Sequence, residues 1–440
     1  MYKSIMLIIT LLCINILTAQ VTNISTIENS IIDLGAVADN NDDFSEFSNL
    51  KPLLENVNIV MMGEQSHGEA TTYETKIKLI KYLHQELGYD LLVFESGFFE
   101  CKKAWDLIEK GEEVRTAMGK SIFDIWSTTK DIKPLANYIE LTKKSENPLR
   151  LAGFDNQFTG KYASGFFLAD LEKFLQRVLP EILETKDWSE FSESIQLITK
   201  FKKASYKQFK KSNQEDEMKF ILRLISEISK TENNPESKFW IQSLKSTRTY
   251  ISNVASKSDF RDKQMADNLI WIKENNPKSK IICWGATGHF IYNSKDIRMK
   301  SVLIQTLAGN YYKKVDMMGE YVKNKYQDKV YTIGFTAYQG EFGLFKGRKI
   351  KAPKEGTFEY VLGQAKYDNY LLPLKGLNID GMESRPLGNF YMKTDINNVM
   401  DAVVFNRNMV RPKLDRNFFL EMYPENKWIK PEVINTNEEL

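Results

Sequence analysis

The chain has 440 residues, too many for one minimal domain, and 42% of them are hydrophobic against 27% charged, the balance of a folded globular protein. Sixty basic residues offset 58 acidic ones, for a formal net charge of +2. Such a balance argues against a nucleic-acid binder, which needs a basic surplus or a concentrated basic patch.

Residues 1–19 read as a signal peptide. Lys3 gives a thin positive start, Ile5 to Leu17 is mostly apolar but too short to span a bilayer, and Leu17-Thr18-Ala19 suits cleavage before Gln20. No later segment is long and apolar enough for a membrane helix. The mature chain is therefore expected to be soluble, periplasmic or secreted, with no membrane contact after cleavage. Only Cys101 and Cys283 then remain; one disulfide is possible, but neither a disulfide framework nor a cysteine-based metal site is. Cys283 lies in an apolar strand and reads as a buried thiol.

After an approach segment, with a short helix between Phe44 and Leu54, comes the stretch that organises the chain. Val57–Met62 is an apolar run that reads as a buried strand. The polar turn Gly63-Glu64-Gln65-Ser66-His67-Gly68 follows, then an amphipathic helix over about Thr72–Leu87, stopped at Gly88. A second apolar run, Leu91–Phe94, ends in Glu95. Strand, loop, helix and strand in that order build a parallel sheet, and ligands bind beyond the carboxyl ends of such strands. Glu64, His67 and Glu95 all fall at those ends.

Further on, helices are expected over Phe98–Lys110, Glu113–Met118 and Asp131–Lys143, and a third strand, Leu149–Asp155, ends in an acid. From Phe166 to Trp284 there is no glycine, and apolar residues recur three and four apart, as in Phe220, Leu224, Ile225 and Ile228. This is a helical run set into an α/β frame. The sheet resumes with Lys280–Trp284, followed by the turn Gly285–His289, and continues with Val330–Ala337 and Asp401–Arg407. Tyr338–Pro386 reads as loops and short elements. The expected organisation is a signal peptide (1–19), an α/β catalytic domain with a mostly parallel sheet flanked by helices (20–160 and 261–420), an inserted helical subdomain (161–260) roofing the cleft, and a polar tail (421–440).

Of three histidines, His67 and His289 follow apolar strands in glycine-containing turns, whereas His84 lies on a helix stripe and reads as a packing residue. His67 is the best candidate for a general base, because imidazole titrates near neutrality and a neutral ring can take a proton from water. Glu64 and Glu95 can orient that ring and favour its charged form. The bland alternative is a turn whose polar groups satisfy backbone donors. Two sharper alternatives stay open but weaker. Glu64, His67, Glu95 and His289 could bind a divalent metal, although no HExxH or His-x-His spacing supports it. Ser66 or Ser96 could be a nucleophile, although neither sits in a G-x-S-x-G elbow. Lys76, two turns along the helix, reads from spacing alone as a solvated lysine, and Asp262 as a helix-start residue.

GEQSHG, the helix after it and the strand LLVFES resemble the erythromycin esterase family. The later motifs follow in the family's order: GFD at Gly153–Asp155, RDKQMA at Arg261–Ala266 and WGATGH at Trp284–His289. The resemblance runs from about residue 45 to 410. It implies a hydrolase without metal or cofactor that opens the macrolactone ring of macrolides with an activated water. In that scheme His67 is the base, Glu64 and Glu95 orient it and the water, and His289 is the second histidine. Lys76 stands where the family has Arg or Lys; it, Arg261 and Asp155 would bind substrate, Arg261 also serving the oxyanion. Ala286 and Thr287 stand where characterised esterases often have His-Asn. The implied partner is a small ester or lactone, held by the insertion and the aromatic-rich C-terminal loops.

Overall fold

A computed structural model describes residues 27–37, 42–200, 203–256, 260–426 and 429. The proposed signal peptide lies outside the described residues, as does most of the polar tail. Among the described residues, nine strands occur in chain order: β1 (Ile32–Asp33), β2 (Ile59–Glu64), β3 (Tyr89–Gly97), β4 (Arg150–Asp155), β5 (Lys280–Ala286), β6 (Val330–Phe342), β7 (Arg348–Ile350), β8 (Asn369–Pro373) and β9 (Ala402–Met409). Four helices carry or flank the candidate residues: α1 (Ala70–Leu87), α2 (Phe98–Glu109), α3 (Arg261–Asn275) and α4 (Thr287–Phe290).

The chain divides into two compact units. The first comprises Met1–Tyr82, Ala286–Glu320 and Asp328–Arg411, and the second Leu83–Gly285, Tyr321–Gln327 and Pro412–Leu440. In the first unit β2 pairs with β6 in parallel, from Ile59↔Val330 to Gly63↔Gly334, and β6 pairs in parallel with β9. Antiparallel β8 joins β9, β1 joins β8, and β7 folds back on the far end of β6. In the second unit β3 lies between β4 and β5, parallel to both. The strands that carry candidate residues, β2, β3, β4 and β5, thus pair in parallel, the antiparallel pairs all fall within the first unit, and helices flank the strands. Every residue of β2 is buried, as its unbroken run Ile59-Val60-Met61-Met62 requires of a strand covered on both faces. Gly88 ends α1 at φ +70°, a left-handed position that glycine occupies without strain.

The glycine-free run forms helices over Leu168–Val178, Lys186–Thr199, Lys203–Phe209, Gln214–Lys230 and Pro235–Ser256. Their apolar stripes meet in one core within the second unit, where Leu171, Phe174, Phe191, Ile195, Leu224 and Trp240 are buried together. Each such side chain removed from water contributes about 1.5–3 kcal/mol. The glycine-free run is therefore helical, and its helices belong to the same compact unit as β3, β4 and β5.

Several details refine or correct the expectations from the sequence. β6 runs on to Phe342, past its expected end at Ala337, and β8 is one of the short elements expected over Tyr338–Pro386, only five residues long and ending in Pro373. The turn Gly285–His289 is instead the end of β5 plus the single helical turn α4. The tail expected from residue 421 begins inside the helix Arg416–Met422, with Met422 buried. Cys101 and Cys283 are both buried and free, so the possible disulfide does not form.

Candidate active site

In the first unit, β2 delivers Glu64 at its carboxyl end with no exposure to solvent. One carboxylate oxygen, Oε1, lies 2.5 Å from His67 Nδ1, and the other, Oε2, lies 3.4 Å from Lys76 Nζ. Glu64 thus sits between an imidazole and an ammonium. Lys76 is completely buried on α1, with its ammonium 5.7 Å from the centre of the Phe335 ring. The solvated lysine suggested by spacing is corrected. A buried ammonium needs a counter-charge, and Glu64 supplies one. Being fully buried, Lys76 can influence a substrate through Glu64 rather than by touching it.

His67 is the accessible member, its side chain 44% exposed. With Nδ1–H donating to Glu64, a neutral ring carries its lone pair on Nε2, the atom that can accept a proton. The loop between Glu64 and α1 is fixed on all sides. Gly388 N–H donates to Gln65 O at 2.9 Å, Gln65 Nε2 donates to Arg385 O at 2.7 Å, and Gly343 N–H donates to Gly68 O at 2.7 Å. Gly68 has φ +87°, and a Cβ there would fall 2.6 Å from Gly343 Cα, so both conformation and space demand glycine. Ser66 Oγ accepts from Asn389 Nδ2 at 3.2 Å, the contact of a structural serine.

Glu69 was not singled out by sequence reasoning. It ends the loop, fully buried, and accepts from Ser66 N–H at 2.9 Å and from the Thr72 hydroxyl at 3.0 Å. Burial, and secondly the nearby Glu64 carboxylate, push its carboxyl up to about 8, against the pull of its hydrogen bonds and Lys76. At neutral pH it is mostly a neutral acid. The only local signal was its position directly after GEQSHG.

Thr287, the first residue of α4, has a second function in this unit. Its hydroxyl lies 2.5 Å from Gly63 O and 3.0 Å from Glu64 O. A Cβ on Gly63 would fall 2.4 Å from Thr287 Cα, so Gly63 lets α4 close on the end of β2. His289, two residues on, is half-buried. With His67 and Ala286 it lines a cavity of about 540 Å³ whose other walls include Tyr311, Tyr312, Phe342 and Phe390.

In the second unit, Glu95 at the end of β3 and Asp155 at the end of β4 are nearly fully buried, and both bind Arg261, the first residue of α3. Arg261 Nε and Nη2 reach Asp155 at 3.1 and 2.6 Å, and Nη2 also reaches Glu95 Oε1 at 2.9 Å. Burial opposes its charge, but the Asp155 and Glu95 carboxylates outweigh burial and hold the guanidinium ionised. Asp155 is therefore the fork that positions Arg261. Glu100 is a further buried acid that the sequence reading missed, pushed up to about 8 by desolvation while Thr159 and Gly160 N–H donate to it. His84 has both ring nitrogens satisfied, Nδ1 by Tyr138 OH at 2.6 Å and Nε2 by Asn147 O at 2.9 Å, as a packing histidine should. Among the described residues, no group of three or more His, Cys, Asp or Glu is arranged to hold a metal ion.

Mostly parallel strands with ionisable side chains at their carboxyl ends define an α/β enzyme. A family model described as erythromycin esterase matches residues 84–409, and the chain belongs to that family, whose members are hydrolases. The matched span begins after the Glu64–His67 loop. A putative hydrolase of Bacillus subtilis (strain 168), YbfO, is 30% identical over 72% of this chain and 74% of its own. Erythromycin esterase type II of Escherichia coli is 20% identical over 82% of this chain and 92% of its own. Among solved structures, a mutant of the erythromycin esterase EreC in its open conformation matches with a TM-score of 0.63 at 17% identity, covering 85% of this chain and 96% of that one. A succinoglycan biosynthesis protein matches with a TM-score of 0.70 at 17% identity, covering 90% and 99%. These structures share the fold.

Proposed function

We propose that this hydrolase opens the lactone ester of macrolide antibiotics such as erythromycin by direct attack of a water activated by His67, and so confers macrolide resistance. The observation that carries the reading is the Glu64–His67 pair at an apolar cavity: a buried carboxylate 2.5 Å from Nδ1 of an accessible imidazole. Nε2 takes a proton from water as the water oxygen bonds to the ester carbonyl carbon. The tetrahedral oxyanion then expels the alkoxide, which is protonated by an imidazolium, His67 or His289, to give a hydroxy acid. Lys76 Nζ lies 3.4 Å from the other carboxylate oxygen of Glu64 and holds it from behind. Arg261, held by Asp155 and Glu95 within the second unit, is the residue to which the family resemblance assigns the oxyanion. The wall of Tyr311, Tyr312, Phe342 and Phe390 suits a bulky, partly apolar substrate.

A second reading keeps the mechanism and changes the substrate to another ester, lactone or amide. Ala286 favours it, because a methyl group lines the cavity where characterised esterases often have an imidazole, and Thr287 is committed to the β2 carbonyls. Mass spectrometry of erythromycin incubated with the mature protein separates the two. Gain of one water with the wild type, and none with His67→Ala, supports macrolide hydrolysis. An unchanged mass at high enzyme sinks it, and a panel of esters and lactones then becomes the test. Export through the signal peptide, to the periplasm or beyond, completes the proposal; it requires the extracytoplasmic protein to begin at Gln20.

A further inference from the structure

Three segments of the first unit contribute most of the cavity wall: 298–314, 342–351 and 386–393. Their outward sides carry large apolar residues in water. Val302 is 83% exposed, Leu303 64%, Leu307 72%, Phe345 59% and Phe390 45%. Scattered single apolar residues are ordinary on a protein surface. Here five of the nine large apolar side chains this exposed among the described residues fall on three segments sharing one cavity, which is a patch that calls for a partner.

The charge on the same segments is one-sided. RMKSVLIQTLAGNYYKK, FGLFKGRKIK and PLGNFYMK hold nine Lys and Arg and not one Asp or Glu, in a chain that balances 60 bases with 58 acids. Lys300 is paired with Glu383 from outside them. Among the described residues, no carboxylate pairs with Lys313, Lys314 or Lys346.

We infer that this rim is a docking surface for an anionic lipid bilayer, with the apolar side chains entering the headgroup boundary and the lysines meeting lipid phosphates. Apolar knobs framed by cations are what an interfacial surface requires. A second copy of the chain is disfavoured, because a two-fold contact sets each patch against its own like charge. Nucleic acid would meet the cations but leave the aliphatic knobs without a partner. The inference departs from the expectation that the mature chain meets no membrane, which rested on the lack of spanning segments; docking needs none. Taken with the proposed hydrolysis, it means that an amphiphilic ester dissolved in lipid reaches the cavity from the bilayer side.

The test is flotation of the mature protein with vesicles of phosphatidylcholine alone and of phosphatidylcholine mixed equally with phosphatidylglycerol. Binding is expected only to the anionic vesicles, and it should be lost in 1 M salt, where the Debye length is about 3 Å. Lys313→Gln with Lys314→Gln should raise the lipid concentration for half-binding about fivefold per lysine. Leu303→Ser with Leu307→Ser should raise it at least tenfold. The lysine pair, on exposed polar positions, keeps the test decisive if the leucine pair fails to fold. No binding, equal binding to both compositions, or binding unchanged in the lysine variant overturns the inference. So does a concentration-dependent dimer, seen by light scattering, that the leucine variant dissolves. None of these readouts uses turnover, so a failed hydrolysis reading leaves the result intact.

Discussion

Glu69→Gln should make the protein more stable at alkaline pH while changing little at acid pH. Glu69 is fully buried, and its carboxyl is pushed from an ordinary 4.5 up to about 8, first by burial and then by Glu64. Between those pH values the folded state keeps a proton that the unfolded state has released. Unfolding then releases a proton, so stability falls as pH rises through that window. At about 1.4 kcal/mol per pH unit, the gap corresponds to at most about 5 kcal/mol, and local relaxation makes about 1–3 kcal/mol a realistic share. Glutamine copies the neutral acid: its carbonyl accepts from Ser66 N–H, and its amide donates to Thr72 Oγ1, whose hydroxyl can turn toward Met409 Sδ at 3.9 Å. The assay is the difference in melting temperature between variant and wild type at half-unit steps from pH 4.5 to 8.5. Glu100 titrates over a similar range but is common to both proteins, so it cancels. The difference should be near zero at pH 4.5 and grow in the variant's favour toward pH 8. A difference independent of pH would refute the reasoning, because it would mean that Glu69 is ionised in the fold throughout.

Thr287→Val keeps the shape and removes the hydroxyl shared by Gly63 O and Glu64 O, so destabilisation of about 1–3 kcal/mol is expected, with kcat falling more than KM rises as Glu64 shifts; an unchanged kcat would mean that Glu64 is placed without it. Arg261→Ala strips Asp155 and Glu95 of a shared cation and should cost about 3–5 kcal/mol in urea unfolding. Adding Asp155→Asn should return part of that loss, and full additivity of the two changes would contradict the ion-pair account. Exhaustive chelation should leave hydrolysis unchanged, measured on whichever ester the panel identifies; loss restored by one divalent metal would recast Glu64 and the histidines as ligands.

The frame was legible because local patterns wrote it. Ile59-Val60-Met61-Met62, a short apolar run bounded by polar turn residues, reads as a buried strand, and α1, ended by Gly88, shows its period over eighteen residues. The helical run was visible for the same reason: its stripes repeat every three to four residues, and glycine is absent. β8 was legible only as a short element because five residues closed by a proline carry little alternation, and its pairing with β9 is a long-range fact. The site divides along the same line. Glu64 and His67 are three residues apart on one loop, so their meeting could be read from spacing. Lys76 could not be read that way, since what decides its state is Phe335, more than two hundred residues distant, together with the carboxylate at the end of β2. For Arg261 the sequence offered only the family resemblance, whereas the fold sets two carboxylates, from β3 and β4, against it. Thr287 is the strongest case. In sequence it marks a departure from the family's histidine-containing motif, whereas in the fold its hydroxyl bonds the carbonyls that carry Glu64. The replacement at 286–287 therefore does more than remove an imidazole. It puts a methyl group on the cavity wall and a strut behind the Glu64 carboxylate.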